Sequence, residues 1–110
     1  MNPILEQYLE YLESEHEFSY KLRMERAWDD QEYEKCIRLL LEVIESYRHS
    51  PLIPKSVVLF FTGMSHLIGQ ISNPAFFANR DPAYQELVEK RKKELLTLQE
   101  QFYSGALFNA

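Results

Sequence analysis

Two pairs of residues have the spacing of a metal-ligating helix turn. Glu13 with His16 makes a Glu-x-x-His step, and Glu45 with His49 comes close to a second but is spaced four apart instead of three. In di-iron helical bundles two such steps and two further inward glutamates hold the metals. This chain supplies one step, and its most apolar segment carries no carboxylate, so a solvated glutamate-rich face is the expected reading and no metal or other cofactor is assigned. The chain's single cysteine, Cys36, lies between Lys35 and Ile37 in an amphipathic stretch. A reactive thiol wants exposure and a positive neighbourhood. On a helix Lys35 and Arg38 point away from Cys36, which leaves a small packed thiol. No glycine-rich phosphate loop, zinc-spaced Cys/His set or nucleophile elbow occurs, so no catalytic residue is proposed and a non-enzyme is expected.

The elements that position these residues read as helices. With only 3 Gly and 5 Pro in 110 residues, most of them at apparent element boundaries, the chain predicts a few long helices joined by short turns. Asn2 before Pro3 is an N-cap and first-position pair, and Ile4, Leu5, Tyr8, Leu9 and Leu12 follow on one face. The stretch through Phe18, Leu22 and Trp28 either prolongs this helix or forms a second one. Asp29 with Glu32 fits a capping box ahead of a stripe of Tyr33, Ile37, Leu40, Ile44 and Tyr47. Pro51 and Pro54 end that helix. The next is expected to run from Pro54 or Ser56 to about Ser72.

From Ser56 to Asn79 there is no formally charged residue, so this third helix is expected to be buried nearly all round, as a core helix or a dimer seam. Phe61, Ser65, Leu67 and Gly69 are the residues placed there, with Ser65 and Gly69 offering a small-residue strip to another backbone. Thr62, Gly63, Ser65, His66, Gly69 and Gln70 interrupt it, which argues against a membrane span of about 20 apolar residues. Asp81 and Pro82 repeat the opening signature, and the last helix carries Leu87, Val88, Arg91, Leu95, Leu98 and Phe102 to Gly105. The expectation is an all-α, compact bundle of four or five helices. It forms one domain over 1–110, with a short apolar tail at 105–110.

Asp30 to Ile37, with Leu40 and Val43, resembles the second helix of a tetratricopeptide repeat, Cys36 replacing the usual small Ala. Tyr20, Arg23, Met24 and Ala27 depart from the preceding helix of that repeat, and no second copy follows at a period of about 34 residues. No family is assigned on that basis.

Charge and aromatic content point to interaction. The net charge of −5 disfavours whole-molecule binding to a nucleic-acid backbone. Five glutamates fall in the first seventeen residues without a Lys or Arg, whereas Lys90, Arg91, Lys92 and Lys93 are consecutive. Those four form a collar around a helix that can pair with Glu86, Glu89 and Glu94 or steer a partner. Seven Tyr and seven Phe exceed what one slim core encloses, and Phe76, Phe77 and Phe108 are candidate partner anchors. The expectation is a small cytoplasmic, non-catalytic interaction module, an adaptor, regulator or assembly subunit, that binds a protein partner and self-associates. The lone Cys36 and the absence of a leader favour a reducing compartment. The alternative is an accessory nucleic-acid-binding subunit using Lys90 to Lys93 with Arg23, Arg26 or Arg80.

Overall fold

The computed structural model describes residues 2–73 and 81–108. Among these the protein is all-α, with six helices and one short 3-10 turn and no strand. The chain divides into two compact units, Met1–Val58 and Leu59–Ala110.

In the first unit α1 (Pro3–Leu12) starts as its sequence dictates: the Asn2 side chain accepts the Ile4 N–H at 2.9 Å and Pro3 occupies the first turn. It ends before Glu13, and α2 (Phe18–Glu25) begins afresh, so residues 3–28 hold two helices. The buried Glu17 carboxylate caps α2, accepting the Tyr20 N–H at 2.8 Å. In α3 (Asp30–Ser46) the Asp29 carboxylate accepts the Glu32 N–H at 3.2 Å and also holds the Lys21 ammonium at 2.7 Å. That hydrogen-bonded cation lowers the Asp29 carboxyl pKa.

α1 and α3 pack antiparallel. Asn2 Nδ2 donates to Ser46 Oγ at 3.0 Å at one end, and the Tyr11 hydroxyl donates to the Glu32 carbonyl at 2.8 Å at the other. The buried stripe of α3 is Tyr33, Cys36, Leu39, Leu40, Val43 and Ile44, rotated from the expected one. Ile37 and Tyr47 lie at its half-buried edge. Phe18 meets Trp28 and Tyr33 edge-on at ring-centroid distances of 5.4 and 5.5 Å, and this aromatic group ties α2 to the start of α3.

Arg26 closes α2 in the left-handed region, at φ 53°, ψ 36°, where its N–H reaches the Leu22 carbonyl at 2.9 Å. A side chain there costs about 1–2 kcal/mol that glycine avoids. Arg26→Gly should therefore raise stability by about 0.5–1 kcal/mol after the added freedom of the unfolded chain is set against it. Urea unfolding measures this, and a loss of stability would contradict it.

The expected third helix is present as α4 (Lys55–Thr62) and α5 (Met64–Ile71), meeting at Gly63. The Thr62 hydroxyl donates to the Leu59 carbonyl at 3.2 Å, and the Leu67 N–H to Gly63 carbonyl bond stretches to 3.4 Å. Hydroxyl back-bonding and a flexible glycine are established causes of a bend. Burial all round is also corrected. In the second unit Phe61, Met64 and Ile71 are buried and Leu67 is half-buried, but Leu59, Thr62, Ser65, His66 and Gly69 are exposed.

α6 (Pro82–Tyr103) is capped by Asp81, which accepts the Ala83 N–H at 2.8 Å. It packs on α5, and Val88 and Leu95 are its buried residues. Gly105, at φ +83°, follows its C-cap and lets the chain turn into the 3-10 segment Ala106–Phe108. Phe102 stacks on Phe61 with centroids 4.1 Å apart and planes 7° from parallel, and Phe108 meets Phe102 edge-on with centroids 5.9 Å apart. Gln99 Nε2 donates to the Phe61 carbonyl at 3.4 Å. Among the described residues no helix is long and apolar enough to cross a membrane.

Candidate functional site

The residues singled out for ligation do not converge. Glu13 and His16 are both exposed on the turn after α1, and among the described residues no group of three or more His, Cys, Asp or Glu side chains is placed to hold a metal ion. Cys36 is fully buried in α3. Burial pushes its thiol well above the ordinary cysteine pKa, and the nearby charges of Glu17 and Glu32 push the same way. A thiol held protonated in this way is a poor nucleophile.

Beside it the structure reveals what periodicity could not, two buried tyrosine hydroxyls on α1. The Tyr11 hydroxyl is fully used, donating to Glu32 and accepting the Phe18 N–H at 3.3 Å. The Tyr8 hydroxyl is buried with no hydrogen-bond partner among the described residues, and burial, then Cys36 and Glu17, raise its pKa. Both rings stand on the apolar face of α1, where a sequence reading counts them as core; which hydroxyl meets an acceptor depends on the approach of α3.

An open cleft of about 430 Å³ also lies in the first unit, between α1 and α3, with Tyr11, Ser14, His16, Glu32, Lys35 and Arg38 on its walls. Its charges are of both signs, Lys35 rests 5.4 Å above the Tyr11 ring, and the Ser14 hydroxyl donates to the Tyr11 carbonyl at 2.9 Å. Nothing there activates a nucleophile by hydrogen bonding it to a base.

The expected partner-binding residues fall in the second unit. Phe76 and Phe77 lie outside the described residues, as does Arg80. Phe108 is half-buried against Phe102, closing the end of α6. The basic run is a collar whose members differ: Arg91 reaches Glu94 at 2.8 Å and Lys92 reaches Glu89 at 3.6 Å, both along the helix. Lys90 and Lys93 are exposed and make no ion pair among the described residues. Two free cations would release few counterions, giving an affinity for nucleic acid that falls with salt at a slope of only about −2.

Of the residues expected in a core or seam, Phe61 is core. Ser65 and Gly69 stand on the exposed face of α5, and a Cβ built on Gly69 meets nothing within 4 Å. Leu59, 57% exposed, extends that face toward α4. Comparison with protein-family models, with curated proteins and with solved structures found no match for this chain.

Proposed function

We propose that this protein is a small non-catalytic interaction module that receives an uncharged, apolar helix of a partner protein on the outer face of α4 and α5. The observation that carries this is the face of Leu59, Thr62, Ser65, His66 and Gly69, which is exposed yet belongs to a segment without one formal charge. A solvated helix face ordinarily carries charged residues, and a charge-free one that admits a close backbone approach at Gly69 suits burial against another helix. Phe108 and Leu107, half-buried beyond α6, add apolar surface in the same unit.

Gly69 provides the test. Because it lies inside α5 with open space around it, Gly69→Ala should stabilise the free chain by about 0.5–1 kcal/mol in urea unfolding. Gly69→Arg should leave the free chain folded but place a long charged side chain in the contact. Affinity purification from the native host with mass spectrometry should then recover a partner with the wild type and lose it with Gly69→Arg. The same set of proteins recovered with both would rule the face out.

A further inference from the structure

We draw no further inference here: the strongest candidate, the open cleft between α1 and α3, sets Glu10 and Glu32 beside Lys35 and Arg38 on its walls, so that its charges select no single ligand chemistry, and nothing in the structure shows what covers it.

Discussion

Replacing Phe61 with Ala should cost about 3–5 kcal/mol of stability, the range for removing a fully buried ring and leaving a cavity that neighbours fill only in part. Phe61 has no exposed surface, lies face to face with Phe102 at 4.1 Å, and touches Phe60 edge-on at 5.2 Å, so its loss strips the second unit of a shared aromatic contact. Phe102 then loses its stacking partner, and Phe108, which packs on Phe102, loses support with it. Leu67, half-buried on the same stretch of chain, should cost markedly less when cut to Ala. Urea unfolding of the two variants checks the order. Equal losses, or a Phe61→Ala loss below about 1 kcal/mol, would mean that the stack is not a core contact.

Raising the pH above about 8.5 should remove stability from the first unit, by about 1.4 kcal/mol per pH unit for Cys36 alone. In the folded chain burial raises the thiol pKa, so the unfolded chain releases that proton first, near the ordinary cysteine value of about 8.5. Above that pH the unfolded state binds fewer protons than the native one, and stability falls as pH rises; below it both states keep the proton and the effect vanishes. Tyr8 and Tyr11, whose pKa values burial also raises, should steepen the loss beyond the ordinary tyrosine value of about 10. Together these groups should remove several kcal/mol by about pH 11, a large share of the about 5–15 kcal/mol that holds a domain folded. Urea midpoints measured from about pH 7 to 11 test this, and Cys36→Ala should abolish the limb that starts near 8.5 while sparing the later one. An unchanged profile in Cys36→Ala would show that the thiol is not what titrates.

The starts of α1, α3 and α6 were legible in the sequence because their causes are local. Asn2 with Pro3, Asp29 with Glu32, and Asp81 with Pro82 each act within one turn, and all three caps form as their residue types require. The left-handed Gly105 after α6 is likewise a local consequence of having no Cβ. Packing of Cys36 was legible as well, since an amphipathic helix buries the small residue on its apolar side.

The tertiary structure alone decided which part of each apolar face is covered. From Ser56 to Asn79 the composition is uniformly uncharged, yet Phe61 is buried by Phe102 and its neighbours while Leu59, two residues away, is 57% exposed. Hydropathy assigns both to a core; only the direction from which α6 approaches separates them, and that depends on contacts some forty residues apart in the chain. The same holds for charge. Lys90, Arg91, Lys92 and Lys93 are equivalent as a run of letters, but intrahelical pairing engages Arg91 and Lys92 and leaves Lys90 and Lys93 exposed on the face that also carries Glu86. The sequence determined the caps at Asn2, Asp29 and Asp81 and the helices they start, because those interactions act within a turn; the open faces, and the surface proposed to bind there, were decided by which side chains meet across space.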